Sequence, residues 1–329
     1  MIKGGLHMNV VKSTRTGARP VVTRRRVVVG RHSVRVQAVS TPVAVPAPAS
    51  SNGKENGAAA QSQPSAAPAP TPPVPNALPP KATFGAVLKA SQMKANMKTD
   101  TLFVLGIAAG ALIGFGALLM NNVGGSSPAL MAANPGACNF LKGAVGLPTG
   151  LFMVVMTGAE LFTGNVMVML SGLLAKTVQT ADLVRNWAVS YAGNLVGSLL
   201  LACIATVGQV PTAAITKVAA TKAALPFAVC VAKGILCNWL VCLAVWGAMA
   251  SNTVAGKAAA IFLPISAFIA LGLEHSVANM FLLPCGKMMG ADITWMEIFA
   301  NNILPVTLGN VLGAAVFVAG IHYFAYGRE

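Results

Sequence analysis

The chain has 329 residues, 55% of them hydrophobic and only 9% charged, with a mean hydropathy of +0.68. Soluble domains carry roughly a quarter charged residues, so this composition excludes an ordinary soluble protein and points to a chain that crosses a membrane several times. The net charge of +15 invites a nucleic-acid partner, but residues 1–98 hold 14 Lys/Arg against the single acid Glu55 and the remainder holds 9 against 7. The basicity therefore belongs to the leader, and no nucleic-acid partner is expected for the membrane part.

Residues 1–38 carry nine Lys/Arg, no acid and several hydroxyl residues, without an apolar core of signal-peptide length. Such leaders are organelle transit peptides. Val34-Arg-Val-Gln-Ala38 looks like the end of a chloroplast transit peptide, with a mitochondrial leader and a basic nucleic-acid arm as the competing readings. Residues 39–82 are rich in Ala, Pro and Ser and cannot bury a core, so they are expected to form an extended, disordered linker. Residues 83–329 remain as the membrane domain. It opens with a short surface helix from Thr83 to Met97 whose apolar face carries Phe84, Val87, Leu88 and Met93.

Six hydrophobic spans follow: Thr101–Met120, Gly143–Ala175, Trp187–Val207, Pro226–Ala250, Ala258–Met289 and Ile303–Tyr323. A spanning helix needs about 20 residues, so the long second and fifth spans are predicted to be broken helices, with breaks at 158–164 and 272–276. Polar backbone at that depth is tolerated where it faces protein or a water-filled cavity. The six cysteines (Cys138, Cys203, Cys230, Cys237, Cys242, Cys285) show neither CxxC nor metal spacing, and no disulfide, metal or cofactor is expected.

The sequence repeats internally. Gly158-Ala-Glu-Leu-Phe-Thr-Gly-Asn165 matches Gly272-Leu-Glu-His-Ser-Val-Ala-Asn279 at Gly, Glu and Asn, and Asn186, Gly193, Asn194 and Gly197 match Asn302, Gly309, Asn310 and Gly313. Three spans per half is an odd number, so the second half enters from the opposite face. The predicted fold is an all-α membrane protein with six transmembrane helices, an aquaporin-like inverted 3+3 repeat with broken helices two and five, and a site at the midplane. Positive residues are denser on the face holding both termini (Lys81, Lys89, Lys94, Lys98, Lys176, Arg185, Lys257, Arg328) than on the other (Lys142, Lys217, Lys222, Lys287), which places the termini inside.

Four ionisable residues fall at membrane depth: Glu160, Lys233, Glu274 and His275. The repeat mates Glu160 and Glu274 are read as structural, each carboxylate accepting from backbone N–H groups freed at its break. His275 has no symmetry mate, since Leu161 stands opposite it, and imidazole exchanges protons near neutral pH. Lys233 either supplies a field that attracts an anion or snorkels to an interface. Leu151, Leu161, Phe162 and Phe268 are ordinary apolar residues whose place beside the breaks makes them candidate constrictions.

The motifs at 158–165 and 272–281, Lys233 with Cys-Asn-Trp-Leu-Val-Cys at 237–242, and Pro-Val-Thr-Leu-Gly-Asn at 305–310 together resemble the formate/nitrite transporter family over residues 84–326. The leader resembles that of the chloroplast members in green algae. The resemblance implies a homopentamer of aquaporin-like protomers in the lipid bilayer, each with its own pore, and no enzymatic activity. It also implies a pathway in which His275 pairs with Thr163 near Asn279, with Leu151, Leu161 and Phe162 at the inner constriction and Phe268 at the outer, where Leu147 replaces the Phe of some members. Its cargo would be a small monovalent anion together with a proton: nitrite (or formate) across the chloroplast inner envelope with both termini in the stroma, or alternatively bicarbonate. A neutral-solute pore of aquaporin type is a remoter alternative, because Asn134-Pro135-Gly136 occurs once and outside the breaks. A membrane redox subunit or hydrolase is disfavoured: only His275 and His322 lie in or near the spans, and neither GxSxG nor HExxH occurs.

Overall fold

The computed structural model describes residues 75–125, 127–210 and 214–328, together with the strand pieces Val28–Val29 and His32–Ser33. Apart from those pieces, the expected transit peptide and the linker as far as residue 74 lie outside the described residues.

The membrane unit is helical throughout. α1 (Pro80–Ala95), with proline in its first turn, precedes α2 (Thr99–Gly125). At about 1.5 Å per residue, the 27 residues of α2 outrun the roughly 30 Å hydrocarbon core. Three shorter pieces, α3 (Pro128–Ala133), α4 (Pro135–Val145) and α5 (Leu147–Thr157), lead into the first break, and α6 (Phe162–Leu174) leaves it. α7 (Thr180–Val207) closes the first half. The second half comprises α8 (Ile215–Ala223), α9 (Phe227–Ala250), α10 (Val254–Ala270), α11 (Ser276–Met288) and a helical rod from Glu297 to Tyr326. The rod holds α12 (Leu304–Ala314) and α13 (Ile321–Tyr326), each preceded by a wider π-turn, at Glu297–Ile303 and Ala315–Gly320. Among the described residues five helices are long and apolar enough to cross a membrane, and the fifth crossing in chain order is shared by the two half-length helices α10 and α11. With α6 completing the second span, this is the six-span fold with broken second and fifth spans that the sequence predicts.

Boundaries differ from the prediction where polar residues extend a helix past its apolar window. α7 begins seven residues before the predicted Trp187, because Gln179 and Asp182 form a reciprocal cap, the Gln179 N–H donating to Asp182 Oδ2 at 3.1 Å. α8 is an addition, since the segment between spans three and four reads as a loop in the sequence. It is the second-half counterpart of α1, so each half consists of a short helix, a span, a broken span and a span.

Both breaks start alike. α5 and α10 each end on a left-handed glycine, Gly158 at φ 70° and Gly272 at φ 64°. The next N–H reaches back to a carbonyl five residues earlier, Ala159 to Val154 and Leu273 to Phe268, both at 3.1 Å. The halves also pack alike. A methyl group on Gly197 of α7 would lie 1.9 Å from the Ile107 oxygen of α2, and one on its mate Gly313 of α12 would lie 2.3 Å from the Ile235 oxygen of α9. The paired helices touch backbone to backbone through small residues, as helices in lipid do where no hydrophobic effect draws them together. α13 and the following turn pack against Phe84 of α1, so both ends of the described unit lie at one end of the bundle.

Candidate functional site

The two breaks meet in the bundle interior, and their free backbone groups are satisfied by asparagines. Asn194 Oδ1 accepts from the Phe162 N–H at 2.9 Å, while its Nδ2 donates to the carbonyls of Gly106 and Glu160, both at 2.9 Å. Asn310 repeats this on the Ser276 N–H at 2.8 Å and on the carbonyls of Gly234 (2.9 Å) and Glu274 (3.0 Å). This corrects the sequence expectation that Glu160 and Glu274 accept from the broken backbone. The asparagines of the third spans do that work, because an amide both donates and accepts whereas a carboxylate only accepts.

The two carboxylates instead hold lysines. Lys94 at the end of α1 lies 2.5 Å from Glu160 Oε1, and Lys222 at the end of α8 lies 2.7 Å from Glu274 Oε1. Asn165 and Asn279 donate to the second oxygens, each at 2.7 Å. From sequence, both lysines count only among the charges flanking the membrane. Arg185 of α7 fixes α1 by donating to the carbonyls of Ala95 and Met97, the latter at 2.8 Å. In the second half Asn302 donates to the Lys222 carbonyl at 2.9 Å and accepts from Asn279 at 2.7 Å. Its mate Asn186 has both side-chain polar atoms buried and unpartnered among the described residues.

Each carboxylate–lysine pair borders a cavity. The larger, about 600 Å³, contains His275, Glu274, Asn279, Phe268, Leu147, Lys222 and Lys233 in its wall. The smaller, about 360 Å³, has Glu160, Lys94, Lys257, Leu151 and Leu161. Lys233 lies in the first turns of α9 and Ala248 near its end, so the cavities open at opposite ends of the span. Between them only about 10 Å³ remains, enclosed by Ile113, Leu147, Leu151, Leu161, Val241, Ile265, Phe268 and His275. His275 is the one polar side chain in that wall.

His275 caps α11: its Nδ1 accepts from the Ala278 N–H at 3.1 Å. Nδ1 therefore carries a lone pair, which puts the proton of the neutral ring on Nε2. Nε2 lies 2.9 Å from Thr163 Oγ1, so the imidazole donates to the hydroxyl, leaving the threonine proton for a third group. Asn238 of α9 fixes Thr163 by donating to its carbonyl at 3.1 Å and to that of Asn310 at 2.8 Å. The Phe268 ring lies near-parallel to the imidazole at 6.1 Å between centroids.

The structure thus brings together His275, Thr163, Leu151, Leu161 and Phe268, and places Asn279 and Lys233 in the larger cavity. Phe162 is elsewhere: its ring packs edge-on against Tyr191 (4.9 Å) and Trp187 (6.3 Å) of α7, and it is not among the lining residues of the three cavities. Sequence reasoning does not single out Lys94, Lys222, Asn194, Asn238 or Asn310 as site residues. Asn194 and Asn310 are visible in it only as repeat mates. Among the described residues no cluster of three or more His, Cys, Asp or Glu could hold a metal.

Two lysine-bearing vestibules at opposite ends of a helical bundle, separated by a narrow apolar neck with one titratable group, define a membrane pore for small solutes. The chain belongs to the formate/nitrite transporter family, whose description "Formate/nitrite transporter" matches residues 81–324. It is 41% identical over 272 residues to a "Probable formate transporter" of Methanothermobacter thermautotrophicus, covering 76% of this chain and 97% of the relative. Among solved structures it superposes on an "FNT family ion channel" with a TM-score of 0.68 at 32% identity, covering 74% of this chain and 98% of the other. It also superposes on a "Pentameric formate channel with formate bound", with a TM-score of 0.61 at 31% identity over 69% and 97% of the two chains. It is a multi-pass transport protein and not an enzyme.

Proposed function

We propose that this chain moves a small monovalent anion together with a proton, as a homopentamer with a pore in each protomer. The cargo is nitrite or formate and the membrane is the chloroplast inner envelope, with both termini in the stroma. The observation that carries this reading is the contrast between lysine-bearing vestibules and the apolar neck whose one polar wall residue, His275, is hydrogen-bonded to Thr163 behind it.

Physical chemistry decides in which form the cargo crosses. Moving a bare carboxylate-sized ion from water into an apolar neck costs on the order of tens of kcal/mol. Neutralising an acid of pKa about 4 at pH 7 costs only about 4 kcal/mol, at about 1.36 per pH unit. Protonation is therefore by far the cheaper route. Lys257 and Lys233, which no carboxylate neutralises among the described residues, concentrate the anion at the two mouths, where it takes up a proton from the vestibule water, and the hydrogen bond to Thr163 holds the His275 imidazole in place at the neck. The neutral acid then crosses between Leu151, Leu161 and Phe268.

Formate as cargo is supported by the names of the relatives, the pentamer by the assembly of the solved formate channel, and nitrite and the plastid by the Arg-rich, acid-poor leader. Uptake of nitrite, formate and bicarbonate into proteoliposomes at two pH values tests the reading. Nitrite or formate flux should rise as the pH falls, and His275→Asn should flatten that dependence. An unchanged rate and pH profile in His275→Asn would remove the imidazole from the mechanism, and osmotic swelling without anion flux would make the protein a neutral-solute pore.

A further inference from the structure

Both vestibules carry lysines but differ in how those lysines are engaged. Lys222 and Lys142 line the larger cavity, and Lys94, the counterpart of Lys222, lines the smaller with Lys257. At the smaller cavity both ammonium groups are taken, Lys94 by Glu160 at 2.5 Å and Lys257 by the Ala248 carbonyl at 3.0 Å. At the larger cavity only Lys222 is held, by Glu274 at 2.7 Å. Lys142, Lys217 and Lys233 line the same space with no ion pair or hydrogen-bond partner for their ammonium groups among the described residues. Lys233 has no counterpart: Gly234 and Gly106 accept from the equivalent asparagines Asn310 and Asn194, which aligns Lys233 with Leu105. Four ammonium groups thus face one carboxylate at the larger mouth, against two facing one at the smaller.

We propose that the larger vestibule binds a multivalent oxyanion, a small phosphorylated or polycarboxylate molecule, through Lys142, Lys217 and Lys233, and that its occupancy closes the pore from that face. A cavity of about 600 Å³ is of the size that holds whole organic ligands, far more than a three-atom anion fills. Several ammonium groups lining one cavity discriminate by valence, because each further negative charge adds its own attraction of a few kcal/mol at the effective dielectric of a partly solvated site. Asn279 lies in the wall of this cavity, and its buried Oδ1 has no hydrogen-bond partner among the described residues. One proton does not neutralise a di- or trivalent anion, so such a ligand is too charged and too large for the neck of about 10 Å³ and stays in the mouth.

Only the blocking half of this inference rests on the proposed conducting pore; binding is judged without it. The test uses the full chain with inorganic pyrophosphate and citrate as probes. In detergent, pyrophosphate should raise the melting temperature of the parent in a salt-sensitive way. In proteoliposomes it should inhibit formate flux when added on one face and not on the other. In Lys142→Gln/Lys217→Gln, compared with its own uninhibited flux, the half-inhibiting concentration should rise about tenfold or more. Lys217 is exposed and Lys142 half-buried, and the ligand-free melting temperature of the double variant confirms that it folds. No melting shift with either probe at millimolar concentration, or a shift unchanged in the double variant, overturns the site. A normal shift with unaltered flux, or equal inhibition from both faces, overturns the blocking role. Absence of any formate or nitrite flux in the parent would fail the proposed function while leaving the melting experiment decisive for the site.

Discussion

Replacing Lys222 with methionine keeps most of the side-chain volume and removes the charge that holds Glu274. The Glu274 side chain is 3% exposed, so its carboxylate cannot turn to bulk water; Lys222 is 17% exposed. Breaking a fully buried ion pair costs about 3–5 kcal/mol, and breaking an exposed one costs about 0–1. Asn279 still donates to the carboxylate at 2.7 Å, a charged hydrogen bond of about 1.5–3 kcal/mol that limits the loss. The expected destabilisation is therefore about 2–4 kcal/mol, a melting temperature lower by roughly 5–15 °C for a domain of this size. Adding Glu274→Gln removes the stranded charge and should restore more than half of that drop, with a coupling energy of at least about 1 kcal/mol in the cycle. Tryptophan-fluorescence melts of the four proteins in detergent measure it. If Lys222→Met melts within about 2 °C of the parent, or if the double variant is simply the sum of the singles, Lys222 and Glu274 are not the coupled pair described.

Asn310→Leu should be the more severe lesion, since it strips the cap from the Ser276 N–H and the donor from the carbonyls of Gly234 and Glu274. Each such buried group costs about 1–3 kcal/mol when left unpaired, so we expect loss of the folded, monodisperse protein in size-exclusion chromatography, whereas Asn310→Asp or →Gln should retain part of it. Gly272→Ala has open space for its methyl group, so only the left-handed backbone opposes it. That costs about 1–2 kcal/mol and should lower the melting temperature by several degrees. Leu161→Ala together with Phe268→Ala enlarges a neck of about 10 Å³ and should admit larger monocarboxylates, measured as a rise in acetate or lactate flux relative to formate.

Architecture is legible because it is written in periods: apolar runs, two glycines at the breaks, and Gly–Asn motifs that recur in the third spans. His275 stands out for one physical reason, a titratable group at a position where the repeat mate is leucine. The lysine–carboxylate pairs are not legible. Lys94 precedes Glu160 by 66 residues and Lys222 precedes Glu274 by 52, so no single offset aligns both members. The excess falls between the first span and its break, where the first half inserts α3 and its flanking turns. α8 is hidden for a related reason: nine residues with two lysines read as a polar connection until packing shows one face buried at Ile215, Ala219 and Ala223. The assignment of the backbone caps to Glu160 and Glu274 fails because hydrogen-bond capacity, not proximity in sequence, decides which side chain closes a helix break. Phe162 sits next to the neck in sequence, yet its ring turns to Tyr191 and Trp187, a direction that spacing does not encode.

The central claim is that the anion crosses the neck as a neutral acid. Counting protons against anions in the same vesicles tests it most directly: formate-loaded proteoliposomes with an internal pH dye, under a potassium-diffusion potential of either sign. The account predicts one proton accompanying each anion and a flux indifferent to the sign of the potential. A flux that follows the potential without a matching change of internal pH would contradict it.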